Sequence, residues 1–138
     1  MKEGSIMARA RKVKEISFTM PNKVGLLSEV TTAVAKAKVN ITAICAYAME
    51  NSALFMLTAD SNAKAKKALA LLGVRIEEKD LVEVEMPNKP GELQKVARKI
   101  GDAGIDIEYM YATAGKGKTA IGVFKTADDP KAIRVINK

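Results

Sequence analysis

The string Met-Pro-Asn-Lys-x-Gly-x-Leu occurs twice, at Met20–Leu27 and again at Met86–Leu93, 66 residues apart. The likeness continues at that offset. Val30/Val96, Ala37/Ala103, Ile41/Ile107 and Ala46/Ala112 are identical, and Val34/Ile100, Val39/Ile105 and Asn40/Asp106 are close. An internal repeat constrains architecture before any local argument, because each copy is one supersecondary unit that its neighbour helps to bury. Two units of about 60–65 residues fit the chain, and units that small bury only about 60% of their unfolded surface. The copies are therefore expected to share an interface, and the whole to pair as a homodimer. A composition that is 48% hydrophobic supplies a packed core.

Periodicity gives each unit the same order of elements. Val13–Thr19 alternates, with Ile16 and Phe18 on one side, which predicts a half-buried strand. After the Pro21–Gly25 turn, Leu27, Val30, Val34 and Ala37 form a helical stripe. Residues 40–49 and 53–59 read as a hairpin around Glu50–Ser52. Ser61 or Asn62 caps a helix with the stripe Ala65, Ala68, Leu69 and Leu72; Gly73 stops it, and Val74–Glu78 closes the unit as a short strand. Strand, helix, strand, strand, helix, strand is the ferredoxin-like split βαβ: an α+β unit with an antiparallel sheet and both helices on one face.

The second copy repeats this with strand Leu81–Met86, the helix stripe Leu93, Val96, Ile100 and Ala103, a hairpin over 106–114 and 119–126, and a last helix capped by Asp128 or Asp129 with Pro130 in its first turn. The predicted domains are 13–79 and 80–138, with only Lys79 and Asp80 between their strands. The chain ends at that last helix, so the second unit lacks its own closing strand. Either its sheet has three strands or another segment fills the edge, because an open edge invites pairing. Ile44 and Met110 fall on the parity opposite Ile41 and Ile107. They predict a partly apolar second sheet face, covered by the other copy or another subunit.

The net charge of +7 is concentrated early, where Lys2, Arg9, Arg11, Lys12 and Lys14 face Glu3 alone. Residues 1–12 are expected to be a basic, solvated, disordered tail. The hairpins offer Phe55 and Phe124 but no aromatic cluster of the kind that stacks RNA bases, so a nucleic-acid partner is not expected. No apolar run approaches the ~18 residues of a membrane span. The one cysteine, Cys45, fits a reducing cytoplasm and sits in an apolar run as a packing residue. With no histidine, no Walker A loop, no Cys-x-x-Cys and no paired carboxylates, the sequence predicts no catalytic residue, no metal and no cofactor.

The doubled turn carries the available chemistry. Asn22 and Asn88 bring amides that donate and accept, and Gly25 and Gly91 let a ligand approach the backbone at a helix start, where unpaired N–H groups favour a carboxylate. The plainer reading is that the asparagine caps the helix and the glycine relieves the turn.

The element order and the Asn-Lys-Pro-Gly-x-Leu turn after the first strand resemble the ACT domain, a small-molecule-binding regulatory module. The arrangement is similar to stand-alone tandem ACT proteins. The likeness covers residues 13–138, and Met86-Pro-Asn-Lys-Pro-Gly-Glu-Leu93 followed by Ala103-Gly-Ile-Asp-Ile-Glu-Tyr109 is its most specific stretch.

The resemblance implies a non-enzymatic module that binds an amino acid or related carboxylic acid and signals to a metabolic enzyme or transporter. The alternative is a ligand-free dimerisation module. It also implies a site where the strand–helix turn of one module meets the start of the second strand of its neighbour. Carried over, these positions are Asn22, Gly25 and Leu26 with Asn40 and Ile41, and Asn88, Gly91 and Glu92 with Asp106 and Ile107. Val24 stands where the second copy has Pro90, and Asp106 where the first has Asn40, so the two sites are expected to differ.

Overall fold

A computed structural model describes residues 7–138; the beginning of the expected tail, residues 1–6, lies outside the described residues. The elements run β1 (Arg9–Pro21), α1 (Leu26–Lys36), β2 (Ile41–Met49), β3 (Ser52–Ala59), α2 (Asn62–Ala70), β4 (Glu77–Pro87), α3 (Glu92–Asp102), β5 (Ile107–Ala114), β6 (Thr119–Thr126) and α4 (Asp129–Asn137). They form two compact units: Lys14–Lys79, and Asp80–Lys138 together with residues 9–13. Each is an antiparallel sheet packed by two helices in ferredoxin-like order.

In the Lys14–Lys79 unit, β3 lies between β1 and β2 and is antiparallel to both, with Phe55 opposite Phe18 and Ala46. One sheet face presents Ile16, Phe18, Ala53, Phe55 and Leu57 to α1 and α2, which bury Leu26, Val30 and Val34, and Ala65, Ala68 and Leu69. The helix stripe thus starts at Leu26, and Leu27 is 56% exposed, one position off the sequence expectation. Ser61 caps α2, its hydroxyl accepting from the Lys64 N–H. Glu78 fastens α2 to the start of β4. Lys66 Nζ at 2.9 Å, and then Asn62 Nδ2 at 3.0 Å, hold its carboxyl below the usual range.

The second unit repeats the design with β6 between β4 and β5, α3 beside α4, and a core of Val82, Val84, Met86, Val96, Ile100 and Phe124. Asp128 caps α4 by accepting from the Lys131 N–H, with Pro130 in the first turn. The last element of this unit in chain order is α4.

The first residues of β1 also belong to this unit. Ala10 is buried among Val82, Val84, Ala132 and Ile136. The Asn137 side chain mimics a strand neighbour: its Oδ1 accepts from the Ala10 N–H at 2.7 Å and its Nδ2 donates to the Ala10 carbonyl at 2.9 Å. Arg11 pairs with Glu83 at 3.0 Å and Lys12 with Asp80 at 3.8 Å. Residues 9–12 are therefore strand, in contrast to the expected disordered tail. Arg9, Arg11 and Lys12 are exposed and only the small Ala10 is buried, too faint an apolar signal to mark a strand.

A second difference concerns sheet parity. The register slips between Ile41 and Ala43 in one unit, and between Ile107 and Tyr109 in the other. A bulge adds one residue and reverses every later side chain. Ile44, Ala46 and Ala48 therefore stand opposite Leu57, Phe55 and Ala53, on the helix-packed face, and Met110 and Ala112 stand opposite Phe124 and Gly122. The apolar second face expected from Ile44 and Met110 is not formed by them. Ala43, Cys45, Tyr47 and Met49 take the other face in the first unit.

Candidate functional site

Both turns are built alike. Gly25 and Gly91 are the helix N-caps, at φ 85° and 88°, and neither helix has a side-chain cap. Positive φ is what demands glycine here, since an added Cβ would meet nothing within 4 Å at either position. Asn22 and Asn88 do not cap the helices, contrary to the plainer reading of the sequence. Each donates its backbone N–H across to the hairpin, Asn22 to the Asn51 carbonyl at 2.8 Å and Asn88 to the Lys118 carbonyl at 2.9 Å.

The two side chains then diverge. Asn88 Nδ2 donates to the Gly115 carbonyl at 2.8 Å and the Gly117 carbonyl at 3.0 Å, so the amide braces the β5–β6 loop and keeps only its oxygen for a ligand. The exposed Asn22 side chain makes no such bond among the described residues. Truncating Asn88 to alanine is expected to cost about 1–2 kcal/mol, two exposed hydrogen bonds' worth. Asn22→Ala should stay within about 0.5 kcal/mol. Paired urea melts of the two variants check the difference.

The start of the second strand is remote from the turn of its own unit. Pro21 and Met49 both stand against Ser52, whereas Ile41 stands against Ala59. The eight steps of β2 separate them by about 25 Å. Asn40 is engaged at that far end, its N–H donating to Asp60 Oδ1 at 3.0 Å and its carbonyl accepting from the Asp60 N–H at 3.0 Å. Asp106 is exposed and its carbonyl accepts from the Ala127 N–H at 2.9 Å, while Ile41 and Ile107 pack against their cores. No single unit therefore joins Asn22, Gly25 and Leu26 to Asn40 and Ile41, or Asn88, Gly91 and Glu92 to Asp106 and Ile107.

What the second unit does form around its turn is a pocket of about 250 Å³. Its apolar surface comes from Met86, Pro87, Leu93, Ala112 and Ala120, and its polar groups from Asn88, Lys89, Glu92 and Thr113. The strand residues come from the end of β5 that the sequence did not single out. Only the register of β5 on β6, which sets Ala112 opposite Gly122 and Ala114 opposite Ala120, brings them to the turn.

Glu92 is the unusual member: an acid at the first position of α3 that is only 7% exposed. Lys95 Nζ reaches its Oε2 at 3.1 Å, and Lys89 Nζ reaches the same oxygen at 4.0 Å. Among the described residues no group of three or more His, Cys, Asp or Glu side chains is placed to hold a metal, and no helix is long and apolar enough to cross a membrane.

Two ferredoxin-like units, each with a glycine-capped strand–helix turn after its first strand, define the class as a tandem ferredoxin-like fold. A family profile described as "ACT domain pair" matches residues 11–138, and the chain belongs to the ACT domain family. Protein BT0572 from Bacteroides thetaiotaomicron is similar in structure, with a TM-score of 0.82 and 32% identity over 91% of this chain and 87% of that one. The ligand-free regulatory subunit of aspartate kinase from Thermus thermophilus shares the fold at a TM-score of 0.65 and 15% identity, covering 97% of both chains. The corresponding subunit from Thermus flavus does so at 0.62 and 17%, covering 95% of both. A search of curated proteins found no match.

Proposed function

We propose that the chain is a non-catalytic regulatory module that binds a small molecule, an amino acid or a related carboxylic acid, and passes its occupancy to a partner enzyme or transporter. The observation that carries this reading is the pocket at the second turn, with an apolar floor and a few convergent polar groups, the usual make-up of a small-molecule site. Its volume of about 250 Å³ lies below the ~300–1,000 Å³ range typical of drug-sized ligands and suits a metabolite. Fold likeness to aspartate kinase regulatory subunits accords with a regulatory role.

The separation of each turn from its own second strand supports a fuller site in which Asn22, Gly25 and Leu26, or Asn88, Gly91 and Glu92, meet Asn40 and Ile41 or Asp106 and Ile107 of a neighbouring module. A homodimer supplies such neighbours. Signalling requires that the ligand bind one arrangement of the assembly more tightly than another.

A thermal-shift screen of the proteinogenic amino acids and simple aryl acids tests the reading. A ligand at 100 times its Kd stabilises by about 2.7 kcal/mol, readily seen as a raised Tm. No shift from any compound would instead favour a ligand-free dimerisation module.

A further inference from the structure

The repeat allows the two turns to be compared position by position. In the first unit, Phe18 and Phe55 stack with ring centroids 5.1 Å apart and planes 7° from parallel, in one buried cluster with Leu26. The equivalent positions of the second unit hold Val84, Gly122 and Glu92, since Val84 pairs with Gly122 as Phe18 pairs with Phe55. Two rings and an isobutyl group have become a valine, a glycine and an acid. The pocket lies where Glu92 replaces Leu26.

Glu92 is incompletely served. Its side chain is 9% exposed, and both lysines reach Oε2 from solvent, with Lys95 69% and Lys89 59% exposed. Only the lysine ends of these pairs lie in solvent, and both meet the same carboxylate oxygen. Oε1 has no partner among the described residues, yet it is not sealed off, because no fully buried side-chain oxygen lacks a hydrogen bond. A nearly buried carboxylate with one open oxygen beside an apolar floor is costly unless a donor meets it. A primary ammonium is the compact donor that fits, with three N–H groups and the opposite charge. A ligand carboxylate in the same place would meet like charge.

We propose that the second-unit pocket selects its ligand through a primary ammonium group bound by Glu92, with a short apolar body over Met86, Ala112 and Ala120, and that the first unit's equivalent position is filled by its own side chains. This rests on the reading of the chain as a small-molecule-binding module and adds which head group is recognised, and where.

The test compares L-valine, isobutylamine and isovalerate, which share a branched body and differ in head group, by thermal shift on the full chain. Valine and isobutylamine should raise Tm, and isovalerate at equal concentration should not. Glu92→Gln should weaken both amines at least tenfold while the unliganded protein keeps its circular dichroism spectrum, and Lys67→Ala, an exposed position on α2 outside the pocket, should leave the shifts unchanged. Stabilisation by isovalerate equal to that by isobutylamine, retention of the shifts in Glu92→Gln, or their loss in Lys67→Ala would overturn the assignment and leave ligand binding standing. Silence from the whole amino-acid panel would overturn ligand binding itself.

Discussion

Replacing Ala10 by aspartate will destabilise the protein by about 3 kcal/mol or more, because it drives an unpaired carboxylate into an apolar core. Ala10 is 7% exposed and packs among Val82, Ala132 and Ile136, seventy and more residues away in sequence, and both of its backbone polar groups are held by Asn137. The expected fall in Tm is ~10 °C or more. Arg11→Ala is the control. Arg11 pairs with Glu83, but its side chain is 72% exposed, so its loss should cost under about 1 kcal/mol. If residues 9–13 were merely a tail, both substitutions would be neutral. A strong effect at position 10 alone is the signature of a strand that completes the Asp80–Lys138 unit.

Phe55→Ala will destabilise the Lys14–Lys79 unit by about 3–5 kcal/mol, the range for deleting a buried phenylalanine. Part of that is the lost stack on Phe18, worth about 0.5–1.5 kcal/mol beyond area burial. Phe55 is flanked across the sheet by Phe18 and Ala46, and neither can grow into the gap. The measurement is a urea or thermal melt. The same truncation bears on why the two turns differ, since Phe55 and Gly122 hold equivalent register positions. Gly122 itself is closely covered: a Cβ there would come within 3.1 Å of Phe124 Cε1 and 3.3 Å of Met86 Cε. The second unit has thus rebuilt its core around the missing ring, using Phe124 from two residues further along the strand.

Much of the fold is legible in the chain because it is written twice. The doubled glycine turn and the hairpins follow from local chemistry that needs no tertiary context, and so do the two helix caps to within one residue, Ser61 over Asn62 and Asp128 over Asp129 being decided by the structure. Three features escape such a reading. The bulges after Ile41 and Ile107 reverse side-chain parity, and nothing in Ile-Thr-Ala or Ile-Glu-Tyr alone marks the extra residue; their recurrence at matching positions of the repeat is visible only in the register. Strand residues 9–12 hold one buried alanine among exposed cations, so charge masks the strand. Glu92 looks like an ordinary first-turn acid suited to the helix dipole, yet it takes the buried position of Leu26. The matching offset was the available signal: a buried leucine in one copy predicts a buried acid in the other.

The candidate site was half legible for a related reason. The turn residues were visible in the motif, but their partners within the unit, Ala112, Thr113 and Ala120, are brought there by strand order rather than by sequence proximity.

Binding of a small ligand at the second turn can be followed by an amide chemical-shift map of the isotopically labelled full chain titrated with L-valine. Saturable shifts are expected to concentrate in residues 86–93 and 112–120, with the equivalent first-unit residues 20–27 little changed. Saturable shifts confined to residues 20–27, or none in either turn, would contradict it.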